Sequence, residues 1–246
     1  MYFTKNDYDM LTPPNSSSSD MLINKMRKQT QEKLLEIHKI IKKEMNDKNL
    51  HEHWMEQHVT SLPYPMENIN KNNVAWMGVR YGKPKEKIYL ERSRDQGNPF
   101  EGFQKHACLQ FALYGAEGEL YYEQESFNIS FFLAVPEGSA DRDHWRANAK
   151  AITLLDEFAS ANKGSEYVWE LYYPAQAERK IYDFKSASEK LSRFLKNNDF
   201  SGCFSSLRML YKIDDPRIET MDKIINEIRY HFDKFLPLYK AMAWGS

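Results

Sequence analysis

The chain of 246 residues has room for one domain, with or without a helical arm. Its 34 basic and 35 acidic residues leave a net charge of −1, which argues against a strongly basic nucleic-acid-binding protein and against an acidic disordered one. Hydrophobic residues make up 41% of the chain, but the longest apolar run, at residues 131–135, is far shorter than the ~20 residues of a membrane-spanning helix. With two cysteines and no signal-peptide pattern at its first residues, the sequence predicts a soluble cytoplasmic protein without membrane contact.

The first part of the chain is predicted to be a tail followed by a long helix. Residues 1–19 include Pro13-Pro14 and a run of serines, which predict a mobile tail. Ser19 or Asp20 can then supply the N-cap oxygen of a helix that runs to about Lys48. Residues at three- and four-residue spacing form its buried face, as expected for an amphipathic helix: Ile23, Met26, Thr30, Leu34, Ile37, Ile41 and Met45. A short second helix is predicted over 51–58, so we expect a disordered tail at 1–19, a helical arm at 20–60 and a single α+β domain at 70–246.

In the middle of the chain the hydrophobic period changes to two, which predicts strands. These strands lie at 74–81, 87–90, 105–114, 119–125 and 127–135. A helix at 141–162 follows, then strands at 166–173 and 179–184, a helix at 186–196, an ambiguous segment at 204–212, and a last helix from Asp215-Pro216 to about Phe235. Short turns between neighbouring strands favour an α+β fold with a central, mostly antiparallel sheet of about five to seven strands, helices on one face and a long N-terminal helix.

A basic hairpin provides the first functional hypothesis. Six basic residues surround the turn at 82–84, and Tyr81 and Tyr89 are interleaved with them: Arg80, Lys83, Lys85, Lys87, Arg92 and Arg94. Such cations can neutralise phosphates while tyrosines stack on exposed bases, although charge also protects exposed strand edges in ordinary hairpins. The leading interpretation is a non-enzymatic binding protein that contacts nucleic acid through this hairpin.

A group of two acids and a lysine provides an alternative from a different class. Glu170 lies on one predicted strand, and Glu178 and Lys180 lie on the next strand of the same hairpin. This arrangement resembles the minimal site of restriction-type nucleases, in which a divalent cation generates the attacking hydroxide. It predicts a metal-dependent nuclease or phosphodiesterase that uses Mg²⁺; otherwise no cofactor is expected. A Glu-x-Lys triplet is common by chance in a chain with 28% charged residues.

The N-terminal helix provides a third hypothesis, in which the chain is an assembly subunit. Its apolar face from Ile23 to Met45 must be buried against something. That surface is either the body of the same chain or a protein partner. The predicted partners are therefore a nucleic acid or another protein.

Overall fold

The fold contains a mostly antiparallel sheet together with helices. A computed structural model describes residues 1–52, 61–62, 74–84, 87, 106–116, 125–134, 139–173, 178–183 and 204–245. The helices in these ranges are α1 (Lys5–Asp9), α2 (Met21–Asp47), α3 (Ala140–Ala147), α4 (Ala149–Ala161) and α5 (Met221–Met242). The strands are β1 (His51–Glu52), β2 (Ser61–Leu62), β3 (Trp76–Gly82), β4 (Cys108–Tyr114), β5 (Ser126–Leu133), β6 (Val168–Tyr173), β7 (Glu178–Asp183) and β8 (Phe204–Lys212).

The sheet has the strand order β1-β3-β4-β5-β8-β6-β7, with β2 beside β3. β6 runs antiparallel to both of its neighbours, β7 and β8, whereas the two-residue strand β2 pairs with β3 in parallel. The predicted α+β class with a mostly antiparallel sheet and a long N-terminal helix is confirmed. Among the described residues, six longer strands agree with the predicted five to seven, and the two-residue strands β1 and β2 bring the sheet to eight.

Contacts divide the chain into two compact units. The first comprises Met1–Tyr81, Gln110–Ile129 and Leu210–Tyr230, and the second comprises Gly82–Leu109, Ser130–Met209 and His231–Ser246. In the first unit, Phe127 packs against Phe3, Phe111 and Tyr211, with ring centroids 5.8, 6.4 and 6.3 Å apart. In the second unit, Tyr167, just before β6, packs on Phe158 of α4 and Phe235 of α5, with ring centroids 5.5 and 5.6 Å apart.

Helix α2 buries its predicted apolar face within the first unit. Asp20 is the N-cap, and its carboxylate accepts hydrogen bonds from the backbone N–H groups of Leu22 and Ile23 at 2.7 and 3.3 Å. The later part of the predicted face is buried, whereas Ile23 and Met26 are half-buried. The buried members are Thr30, Leu34, Ile37, Ile41 and Met45.

Residues 1–19 pack within the first unit and do not form the predicted mobile tail. Phe3, Tyr8 and Leu11 are at most 1% exposed. The buried Asp7 carboxylate, at the start of the chain, accepts hydrogen bonds from Thr30 Oγ1 and Lys33 Nζ on α2, both at 2.6 Å. The prediction was wrong because prolines and serines disfavour regular structure but do not prevent the apolar residues among them from docking elsewhere.

Arg27 forms hydrogen bonds to the C-terminal end of residues 1–19. Its side chain is fully buried, and it donates hydrogen bonds to the carbonyl oxygens of Ser16 and Ser18 at 2.8 and 2.9 Å. Charge-assisted hydrogen bonds of this kind are about twice as strong as neutral ones. Arg27 thereby satisfies backbone groups of a segment that has little regular structure of its own.

Two further elements differ from their predictions. The helix predicted at 141–162 is interrupted at Asn148, whose extended backbone (φ −103°, ψ 93°) ends α3. The Asn148 side chain accepts a hydrogen bond from Lys150 N–H and so caps α4. His51 and Glu52 form a strand and not the start of a helix. The segment 204–212 is a strand, and the predicted helix at 186–196 lies outside the described residues.

Candidate functional site

The register between β6 and β7 locates the predicted acid–lysine site. Glu170 pairs with Ile181, and Leu171 pairs with Lys180. Residues directly opposite each other share one face of a sheet, and successive residues alternate between faces. Glu170 and Lys180 therefore project from opposite faces. Glu178 lies two residues before Lys180, so the register does not gather the three residues around one cation.

Glu170 has a different role in the second unit. Its carboxylate forms an ion pair with Arg208 Nε on β8 and accepts a hydrogen bond from Ser206 Oγ at 3.4 Å. Arg208 Nε also donates to Ser206 Oγ at 2.6 Å, and all three side chains are buried. Among the described residues, no group of three or more His, Cys, Asp or Glu side chains could hold a metal ion. This Glu170 carboxylate connects two strands.

Arg80, the first residue of the predicted basic hairpin, points into the first unit. It is 3% exposed, and its Nε donates to Gln110 Oε1 at 2.5 Å. Its guanidinium lies 4.6 Å from the centre of the Trp76 ring, which stacks on Tyr114 at 6.0 Å. Gln110 Nε2 donates in turn to the Tyr114 hydroxyl at 2.8 Å. This continuous polar and aromatic network joins β3 to β4, so Arg80 is not a surface cation.

Lys83 is buried at the centre of a second network, in the second unit. It forms an ion pair with Asp141 in the first turn of α3, and neither side chain is exposed to solvent. The same carboxylate accepts hydrogen bonds from the backbone N–H groups of Ala107 and Trp244, both at 2.7 Å. Burial raises the pKa of Asp141, and the charge and hydrogen bond of Lys83 oppose that shift. One carboxylate therefore links four segments of the chain, which is a structural role.

Of the four other residues of the predicted hairpin, one lies in the part of the chain that the structure describes. Lys85, Arg92 and Arg94 lie outside the described residues, and Lys87 is half-buried. Sequence reasoning missed the burial of Arg80 because arginine at an alternating strand position is typical of a solvent-facing side. The signal that could have revealed it is the row formed with Trp76, Gln110 and Tyr114, which depends on a register that the sequence does not specify.

The exposed side of α2 carries features that the sequence analysis assigned to no site. Met21 and Leu22 are 85% and 65% exposed at the start of the helix. Lys25 and Lys28, on the next turn, are also exposed, and no acidic residue occurs between Met21 and Gln31. We call Met21, Leu22, Lys25 and Lys28 the head of α2. It combines exposed apolar surface with positive charge.

The lysines of α2 fall into two groups. Lys33 pairs with Asp7 at 2.6 Å and Lys42 pairs with Glu52 at 2.5 Å, so these two are neutralised within the first unit. Four exposed lysines on the same helix make no ion pair within the described ranges: Lys25, Lys28, Lys39 and Lys43. A partner with carboxylates would therefore not have to displace an existing ion pair.

Comparison with models of known protein families gives no match, and no curated protein sequence matches the chain. Within the ranges that the structure describes, no helix is long and apolar enough to cross a membrane.

Proposed function

We propose that this chain is a binding protein that recognises another protein through the head of α2. The observation that supports this proposal most directly is the exposure of Met21 and Leu22, at 85% and 65%. The later apolar residues of the same helix, such as Leu34 and Ile37, are fully buried. Burying an exposed Leu or Met on association would contribute roughly 1.5–3 kcal/mol of hydrophobic free energy.

This proposal moves the assembly contact to another part of α2. The hypothesis from the sequence used the face from Ile23 to Met45, most of which packs inside the first unit. That face could meet a partner only if the unit opened, at the cost of exposing its core. The head of α2 is accessible without any such change.

Nucleic-acid contact through the basic hairpin is a weaker candidate. Arg80 and Lys83 are buried in internal networks. The hypothesis now depends on Lys85, Arg92 and Arg94, which lie outside the described residues. The nuclease hypothesis is weaker still, because Glu170 and Lys180 project from opposite faces of the sheet.

Site-specific photo-crosslinking tests the proposal. A photoreactive amino acid replaces Leu22 in the full chain, and a matched variant carries it at Tyr230, another exposed apolar side chain of the first unit. In extracts of the source cells we expect one defined protein adduct at position 22 and none at position 230. The captured protein, once purified, should bind Leu22→Asp about tenfold or more weakly than the wild type, since a charge would replace a buried apolar contact.

Three results would overturn the proposal. The first is the absence of any adduct at position 22, and the second is the same set of adducts at both positions. The third is unchanged affinity of the purified partner for Leu22→Asp. Circular dichroism of the variant checks its fold, and a substitution at a site that is 65% exposed should not disturb it.

A further inference from the structure

The solvent-exposed side of α2 extends well beyond its head. It includes Lys39, Ile40 and Lys43 toward the other end of the helix, and Ile40 is 37% exposed. Lys43 lies eighteen positions after Lys25, which corresponds to about 27 Å along an α-helix. We call Met21, Leu22, Lys25, Lys28, Lys39, Ile40 and Lys43 the outer face of α2.

Among the described residues, no acid near the outer face forms an ion pair with its four lysines. Glu32 and Glu36 lie between the two lysine pairs, and Glu36 accepts a hydrogen bond from the Tyr2 hydroxyl at 2.9 Å. Glu44 forms an ion pair with Arg229 of α5 at 2.5 Å. Within the part of the chain that the structure describes, the helix therefore presents two lysines without an ion pair toward each end. Glu32 and Glu36 lie between these pairs, and the exposed Asp47 lies one turn beyond Lys43.

We propose that the partner presents an acidic segment that lies along the outer face of α2. In this arrangement, apolar side chains at one end of the segment contact Met21 and Leu22. Its carboxylates contact the pair Lys25 and Lys28 and the pair Lys39 and Lys43. A helical segment would need roughly 20 residues to span the two pairs. This inference rests on the proposed function and specifies the chemistry of the partner.

The distribution of apolar residues favours a protein segment over a lipid surface. A helix that lies on a membrane needs an apolar stripe along its whole length. The apolar stripe of α2 is buried inside the first unit, as Leu34 and Ile41 show, and the exposed apolar residues lie mainly at one end. A nucleic acid would use the lysines but would gain little from Met21 and Leu22, because its phosphates dominate binding.

A synthetic peptide of defined chemistry provides the probe. It has about 20 residues, is rich in glutamate and carries leucines near one end; a control peptide has glutamine at every glutamate position. Fluorescence anisotropy at low salt measures binding to the full-length chain. We expect the acidic peptide to bind and the glutamine peptide to bind far more weakly.

Charge-reversal variants locate the contact. Lys25→Glu with Lys28→Glu, and separately Lys39→Glu with Lys43→Glu, should each weaken binding of the acidic peptide about 5–30-fold, as expected for the loss of two surface charge pairs. The matched control is Lys150→Glu with Lys163→Glu, which makes the same change in net charge at exposed positions of the second unit. This control should bind as the wild type does.

The inference fails if the acidic peptide does not bind, or if both α2 variants bind it as tightly as the control variant. It also fails if a single-stranded DNA oligonucleotide or anionic phosphatidylserine vesicles bind more tightly than the peptide while Leu22→Asp has no effect. Crosslinking at position 22 distinguishes this failure from failure of the proposed function. If the partner captured at position 22 binds the lysine variants as tightly as the wild type, the proposed function stands. Only the acidic nature of the segment is then excluded.

Discussion

Removing residues 1–19 should destabilise the protein severely. Phe3, Tyr8, Met10 and Leu11 are at most 2% exposed. At about 1.5–3 kcal/mol for each buried large side chain, they contribute roughly 6–12 kcal/mol, an upper value because an unfolded chain already buries some surface. Whole domains have a free energy of unfolding of only about 5–15 kcal/mol. A chain that begins at residue 20 should therefore lose its cooperative unfolding transition.

Urea denaturation followed by circular dichroism measures the effect, and single substitutions give a graded version of it. Leu11→Ala should lower the free energy of unfolding by about 2–5 kcal/mol without changing the denaturant slope. Met21→Ala, at a side chain that is 85% exposed, should change it by less than about 0.5 kcal/mol. If the chain without residues 1–19 unfolds at the wild-type urea concentration and with the wild-type slope, the segment is a mobile tail and the reasoning is wrong.

Three other perturbations test separate parts of the structure. Burial lowers the pKa of His38 below 6.5, so the unfolded chain takes up this proton first as the pH falls. Stability is then lost from about pH 6.5 downward. The urea midpoint of His38→Gln should therefore depend less on pH than that of the wild type. An equal pH dependence of the two midpoints would exclude His38 as the cause. Lys83→Met leaves the buried Asp141 without its cation and should lower the free energy of unfolding, measured by thermal denaturation, by about 3–5 kcal/mol. Adding Asp141→Asn should restore part of that stability. A further loss of stability in the double variant would contradict the pairing. Gly115→Ala would place a Cβ 2.1 Å from the Leu11 carbonyl oxygen. This overpacking should reduce the free energy of unfolding by about 1–3 kcal/mol and so lower the melting temperature. An unchanged melting temperature would mean that the two segments do not touch.

Local sequence signals predicted the elements whose causes are local. Helix α2 begins at Met21 because the side chain of the preceding Asp20 caps it, and its apolar stripe persists for many turns. The pair β6 and β7 follows from alternation at Tyr167, Trp169 and Leu171, all of which are buried. In each case the signal and the structure involve residues close together in the chain.

The elements that were missed depend on contacts distant in sequence. Phe3 is buried because Phe127 lies 5.8 Å away, and no periodic pattern at the start of the chain reveals that contact. The internal partners of two candidate residues were missed for a related reason. Residue type identified Glu170 and Arg80 as charged, but the strand register and the neighbouring strand determine whether such a charge faces solvent, a substrate or an internal partner.

Although the net charge is near neutral, individual lysines differ in whether an ion pair neutralises them. Lys83 is neutralised by Asp141 at close range, and a neutralised pair has only a weak, dipolar field at a distance. An unpaired exposed lysine keeps the field of a full charge, which salt screens over about 8 Å at physiological ionic strength. The attraction that an acidic partner would experience therefore originates at the outer face of α2 and not at the buried hairpin residues. Charges across an interface mainly accelerate association, whereas desolvated apolar contacts mainly slow dissociation. Added salt should therefore reduce the association rate of the partner. Leu22→Asp should instead raise its dissociation rate.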